Sequence, residues 1–163
     1  MPEQVIKANR FFNTQVFEGP VIIADGVQTP DNLGAIFRLA GNIGCPKVVL
    51  TERSSLSSIK VEKIARNSLQ YIQIVQMTYQ EIQAHFPVLL AVETSSDAQN
   101  IYQTKLPKEL AIVVGNERFG IAPEMIEFCT IQTYIPMPGN VKSLNVSHAL
   151  SIALFEWYRQ NFE

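Results

Sequence analysis

Six short runs of apolar and β-branched residues alternate with stretches of helical spacing. No other feature of the chain constrains its fold as strongly. The runs are PVIIAD (20–25), KVVLT (47–51), YIQIVQM (71–77), FPVLLAVE (86–93), ELAIVVG (109–115) and TIQTYIPM (130–137). Between them, the spacing predicts a helix over 32–42, with Pro30 and Asp31 as start signals and Gly41 and Gly44 near its end. Ser57 or Ser58 is placed to cap a helix reaching Asn67, a short helix covers 78–85, and helical turns follow Pro123. A last amphipathic helix is expected from Leu144 to Arg159, where Leu144, Leu150, Leu154 and Trp157 keep helical spacing. Strands that are apolar almost throughout belong to parallel sheets covered on both faces. The expected fold class is therefore α/β, a mostly parallel sheet with helices on both faces.

The length of 163 residues favours one domain over 1–163, with residues 1–19 as an N-terminal arm too short for a second domain. Thirteen basic and fifteen acidic side chains leave a net charge of −2. That balance excludes a protein coated in positive charge, so a polyanion has to be held by a local patch, or by a patch doubled through oligomerisation. The longest apolar run, Phe86 to Val92, has seven residues, against the ~20 needed to cross a bilayer. No secretory signal is visible at the start, and a cytoplasmic location without membrane partners is expected. Cys45 and Cys129 are far apart, and with only His85 and His148 beside them no zinc set is expected. They read as buried free thiols in a reducing compartment.

In open α/β sheets, ligands gather beyond the carboxyl ends of the strands. Three of those ends are polar and rich in glycine: DGVQTPDNLGAIFRLA (25–40), VVGNERFGIAPE (113–124) and IPMPGNVKSLNVSHAL (135–150). The usual nucleotide motifs fail. No GxGxxG follows a strand, Gly115 and Gly120 lack a following Lys-Ser/Thr, and Lys142-Ser143 lacks its glycine.

Taken together, the three segments resemble the SpoU (TrmH-like) branch of the SPOUT superfamily of RNA 2′-O-ribose methyltransferases. Asn32 and Arg38 stand in the family's N-x5-R arrangement, GNERFG is similar to its G-x-E-x-x-G, and IPMPGNVKSLNVS is similar to its IPM-x-G…SLNVS signature. The likeness spans about residues 20–160. It implies a C-terminal deep trefoil knot, which periodicity alone does not show. It also implies S-adenosyl-L-methionine as methyl donor, RNA (tRNA or rRNA) as substrate, and a homodimer built partly on the last helix. Leu150, Leu154 and Trp157 suit that dimer face, and an intramolecular core explains them equally well.

Methyl transfer to a ribose hydroxyl requires in-line positioning, loss of the hydroxyl proton, a water-poor adenosyl pocket and a grip on RNA phosphates. Gly115 permits close backbone approach, while Ile135, Met137 and Leu144 supply apolar walls and main-chain amides. The resemblance implies cofactor contacts at Gly115, Ile135 and Leu144, with Thr94 near the same pocket. The plain alternative makes Gly115 and Gly139 turn glycines and the apolar residues core. Asn32 and Arg38 lie roughly 600° apart around a helix, a net of about 240°, so they do not share a stripe. Asn32 reads as the helix cap that also orders the loop. The resemblance makes Arg38 the catalytic residue. A guanidinium is a poor base, so phosphate holding and stabilisation of a developing alkoxide stand beside the base role. Glu117 is expected to orient Arg38 or the loop. Ser143 and Asn145 sit where side chains cap the last helix, and the resemblance adds hydrogen bonds from both to the cofactor loop and Arg38.

His148 is a rival base, since imidazole titrates near neutrality, or else a packing or dimer residue. Arg53, Lys60, Lys63 and Arg66 form the densest basic cluster. They read either as a solvated face or as a phosphate-contacting edge. Two other functions remain beside the enzyme: a non-catalytic RNA-binding dimer with the same fold, and an unrelated doubly wound enzyme that uses another nucleotide.

Overall fold

The computed structural model describes residues 18–54 and 69–162. The helix expected from Ser57 or Ser58 to Asn67, the cations Lys60, Lys63 and Arg66, and most of the expected arm lie outside the described residues. Chain order is β1 (Val21–Asp25), α1 (Pro30–Ile43), β2 (Lys47–Leu50), β3 (Gln73–Gln76), α2 (Tyr79–His85), β4 (Leu89–Val92), β5 (Gln99–Asn100), a 3-10 turn (Ile101–Gln103), β6 (Ala111–Gly115), α3 (Pro123–Phe128), β7 (Ile131–Tyr134) and α4 (Val146–Phe162). The strands form one sheet in the order β3-β2-β1-β6-β4-β7-β5. Every pairing between these seven strands is parallel.

Strand alternation sends consecutive side chains to opposite faces. Ile22, Ala24, Val48, Leu50, Ile112 and Val114 point to the face covered by α1 and α4. Ile23, Val49, Ala91, Ala111 and Val113 point to the face where Ile82 of α2 and Met125 of α3 pack. Helix α1 buries Leu33, Ile36, Phe37 and Ala40, spaced i, i+3, i+4, i+7. Leu150, Ala153, Leu154 and Trp157 repeat that spacing on α4. Full burial of each large apolar side chain contributes about 1.5–3 kcal/mol. Leu150, Leu154 and Trp157 therefore belong to the intramolecular core, not to an exposed dimer face. The Trp157 indole N–H is also used internally, donating to the carbonyls of Pro107 and Lys108 at 3.1 Å each.

Local signals explain several boundaries. Pro30 occupies the first turn of α1, where its missing N–H costs nothing. Thr78 and Glu81 form a reciprocal capping box at α2. Helix α1 begins two residues before Asn32, and α4 begins at Val146 rather than Leu144. Strand β5, two polar residues at the sheet edge, has no apolar run to announce it. Cys45 and Cys129 are buried free thiols, both pushed up to about 12 by desolvation. No helix among the described residues is long and apolar enough to cross a membrane.

Candidate active site

Because all strands run the same way, their carboxyl ends share one edge of the sheet. Asp25 of β1 and Gly115 of β6 are direct register partners there. A cavity of about 280 Å³ opens at this edge, near the lower end of the usual range for ligand pockets. Its walls come from the loop after β4 (Glu93, Thr94), the loop after β6, the long loop after β7, and the first turn of α4 (Val146, Ala149). Thr94, Gly115, Ile135, Met137, Ser143 and Leu144, scattered over 51 positions of the chain, all line it. Val92, Val114 and Ile135 make an apolar side, while Glu93, Tyr134, Arg118 and Lys142 add polar groups. Such a donor set suits an amphiphilic ligand with an aromatic base and a charged tail.

The segment 115–120 folds back on itself for identifiable reasons. Asn116 and Gly120 exchange backbone hydrogen bonds at 3.0 and 2.9 Å. The Asn116 Oδ1 accepts the N–H groups of Arg118 and Phe119, and its Nδ2 donates to the Gly26 carbonyl. A Cβ on Gly115 would lie 2.2 Å from backbone atoms of Gly120 and Ile121. The missing side chain thus admits the protein's own returning loop, while Gly115 also lines the cavity. Gly120 has a φ of +69°, and a Cβ there would meet the Glu93 carboxylate at 2.3 Å. Glu93 occupies that space because its two oxygens accept the N–H groups of Thr94 and Ile121.

A polar chain joins all three motif segments. The Thr29 N–H and the Asn32 Nδ2 donate to Glu117 Oε1 at 3.1 and 2.9 Å. Asn145 Nδ2 donates to Asn32 Oδ1 at 2.9 Å. Asn145 Oδ1 in turn accepts the N–H and hydroxyl of Ser147, and so caps α4. Asn32 does not cap α1. It lies inside the first turn, Thr29 holds the cap position, and the Glu117 carboxylate reaches the amino end of the helix from outside. Glu117 therefore orders this loop and makes no contact with Arg38. Ser143 lines the cavity two residues ahead of the Asn145 cap.

Burial alone would raise the Glu117 carboxyl, but hydrogen bonds from Asn32, its own backbone and Thr29 outweigh it and hold the group below its ordinary value. Its contribution to stability is then present above the ordinary value of 4.5 and lost as pH falls through the lower folded-state value. In urea unfolding, Glu117→Gln is expected to be about 1 kcal/mol less stable than wild type at pH 7, solvent exposure keeping the loss small. The gap should narrow as pH falls below 4.5; a gap that is constant between about pH 7 and 3 would contradict this role.

Arg38 stands apart. It is exposed, lines no part of the cavity, and its side chain bonds to no other described residue. Six residues beyond Asn32, it is displaced by roughly 9 Å along the helix from the end that meets Glu117. His148 is also exposed and outside the cavity.

Arg53 is the one member of the expected basic cluster among the described residues, and it is half-buried. Its guanidinium pairs with the fully buried Asp25 at 2.9 Å. The carboxylate of Asp25 also accepts from the Thr51 and Tyr79 hydroxyls and from the Ala122 N–H. Asp25 thereby ties β1, β2, α2 and the end of the 115–121 loop together. Asp25, Glu93 and Asn116 escaped the sequence reading. The available signal was an acid closing a buried apolar strand, a position that requires partners.

The family model described as the SpoU rRNA Methylase family matches residues 19–155. The 23S rRNA (guanosine-2'-O-)-methyltransferase RlmB of Pasteurella multocida is 35% identical over 147 residues, covering 86% of this chain and 60% of that protein. A TrmH/SpoU tRNA modifying enzyme from A. aeolicus superposes with a TM-score of 0.77 at 26% identity, covering 97% of this chain and 83% of that one. An AdoMet-bound rRNA methyltransferase from Sinorhizobium meliloti superposes at 0.80 with 24% identity, a likeness of fold, over 94% of this chain and 60% of that one. The chain spans about 60% of the length of the curated relatives it matches.

Proposed function

Since the chain belongs to the SpoU rRNA methylase family, we propose that it transfers a methyl group from S-adenosylmethionine to the ribose 2′-hydroxyl of a nucleotide in transfer or ribosomal RNA. The observation that carries this reading is the convergence of the loops after β4, β6 and β7 on one cavity with an apolar side and a polar rim. The activities named for the relatives point the same way.

When bound, S-adenosylmethionine supplies an electrophilic methyl group. The chain's residues provide the surroundings. Ile135, Met137 and Leu144 exclude water, and the backbone at Gly115, Ile135 and Leu144 offers hydrogen bonds to the adenosyl part. Thr94 and Ser143 add hydroxyls. Glu117, Asn32 and Asn145 hold the three loops in register, so that the pocket is preorganised rather than assembled on binding. Arg38 holds an RNA phosphate and stabilises the charge that develops on the ribose oxygen. Its exposure outside the cavity of its own protomer leaves it able to approach the ribose across a homodimer interface, which is part of this reading. The proposal also includes one SPOUT domain, a cytoplasmic location, and a deep trefoil knot in the C-terminal part. The insertion of β7 between β4 and β5, followed by the return of α4 onto α1, supports the knot.

The test is ribose-methylation mapping of total RNA from cells with and without this protein, repeated with Arg38→Ala. One or a few positions should lose methylation in the deletion and remain unmodified with the variant. In vitro, transfer by Arg38→Ala should fall by roughly 100-fold or more while cofactor affinity is kept. Near-normal transfer would remove Arg38 from the mechanism, and an unchanged methylation map would remove the function.

A further inference from the structure

Phe119 is 72% exposed although its neighbours on both sides line the cavity. An aromatic ring left in water on a loop has no role in the core. Yet the backbone that carries this ring is held in place. Its own N–H donates to Asn116 Oδ1 at 3.0 Å, the turn is closed by the Asn116–Gly120 pair, and the Arg118 guanidinium lies 5.3 Å from the ring centroid. The protein therefore presents a flat apolar face beside the cavity lining, with a cation next to it. The acids nearby are already engaged: Glu93 and Glu117 accept hydrogen bonds from protein N–H groups. Arg118 and Lys142 are exposed at the same rim, the Lys142 ammonium donating one hydrogen bond to the Met137 carbonyl at 2.8 Å. A mouth with an exposed aromatic ring, and with two cations that form no ion pair with the Glu93 and Glu117 carboxylates of the same lining, matches the two chemical faces of an unpaired nucleotide, its base and its phosphate.

We propose that Phe119 is a stacking platform for the base of an unpaired RNA nucleotide at the cavity mouth, with Arg118 orienting the ring and attracting the adjoining phosphate. This rests on the RNA methyltransferase reading above and adds a class of substrate to it. The target lies in a loop, bulge or end, because a paired base has no free face to offer. Stacking tolerates any base, since each has a π-face. Phe119 thus favours accessibility of the nucleotide over its identity, and base preference must come from other contacts.

The experiment compares wild type with Phe119→Ala, Phe119→Leu and Phe119→Trp. Fluorescence anisotropy measures binding of a labelled mixed-sequence 12-nucleotide single-stranded RNA and of the same strand annealed into a duplex. Phe119→Ala should bind the single strand about 5- to 150-fold more weakly and the duplex nearly as wild type does. Phe119→Trp should retain binding, and Phe119→Leu, which keeps apolar area but has no π-face, should not. Unchanged S-adenosylmethionine affinity in calorimetry would show the pocket intact. Equal single-strand affinity for wild type and Phe119→Ala would overturn the proposal, as would full binding by Phe119→Leu. A change of oligomeric state in sedimentation of Phe119→Ala would overturn it too, assigning the ring to contact with a second copy. Methyl transfer by wild type to total RNA is read separately. Phe119-dependent binding without any transfer would sink the enzymatic reading and leave the stacking role standing.

Discussion

Asp25→Ala is expected to lower the unfolding free energy by roughly 3 kcal/mol, with a larger loss if water does not reach the emptied site. The carboxylate is fully buried and accepts four hydrogen bonds, from Thr51, Arg53, Tyr79 and Ala122. Truncation leaves all four donors without it. Arg53 can swing into water, because its side chain is already 38% exposed, so its share of the loss is small. The Ala122 N–H belongs to the backbone and cannot turn away. Asp25→Asn should be much milder, about 1 kcal/mol. Its amide can donate to the two hydroxyls while its oxygen keeps the Ala122 and Arg53 bonds. The order Ala far below Asn, read by urea unfolding, is the signature of a hydrogen-bonding hub. Equal losses under 1 kcal/mol would show that the network contributes little.

Gly115→Ala should damage the site more directly. The new methyl would stand 2.2 Å from the backbone of Gly120 and Ile121, atoms with no rotamer to change. To relieve the clash, the Asn116–Gly120 pair must open, which moves the Glu117 bridge and the cavity wall together. Overpacking of this kind costs about 3 kcal/mol. A displacement of order 1 Å in a reacting geometry costs about 100-fold in rate. Methyl transfer by Gly115→Ala should fall at least that far, with weakened S-adenosylmethionine binding in calorimetry. Gly139→Ala is the control, since a Cβ there meets nothing within 4 Å. Similar behaviour of the two variants would mean that the close approach at Gly115 has no functional consequence.

Much of the scaffold was legible because burial imposes short-range periodicity. Each of the six apolar runs contains a strand, and the Asn145 cap involves residues two apart. Strand β5 was missed because two polar residues at an edge carry no such periodicity. Asn32 orders the loop as expected but does not cap the helix, for a related reason. Cap residues are inferred from their neighbours, whereas its amide is drawn to Glu117, 85 residues away. Arg53 looked like one more surface cation, and only packing shows the buried carboxylate beneath it. Leu150, Leu154 and Trp157 could face a partner or the sheet with the same spacing, and the core claims them.

Residue order alone marks six of the seven strands, the helices that follow Pro30, Thr78, Pro123 and Asn145, and the loops rich enough in glycine and polar groups to bind a ligand. Those properties follow from side-chain period and backbone preference, which act over a few residues. The meeting of Thr94, Gly115, Ile135 and Leu144 around one cavity was decided by the strand order β1-β6-β4-β7, which stacks distant carboxyl ends side by side. The same order left Arg38 outside that cavity. A helix of fixed rise, anchored at its amino end by Glu117 and Asn145, carries its later residues away from the site whatever motif they belong to.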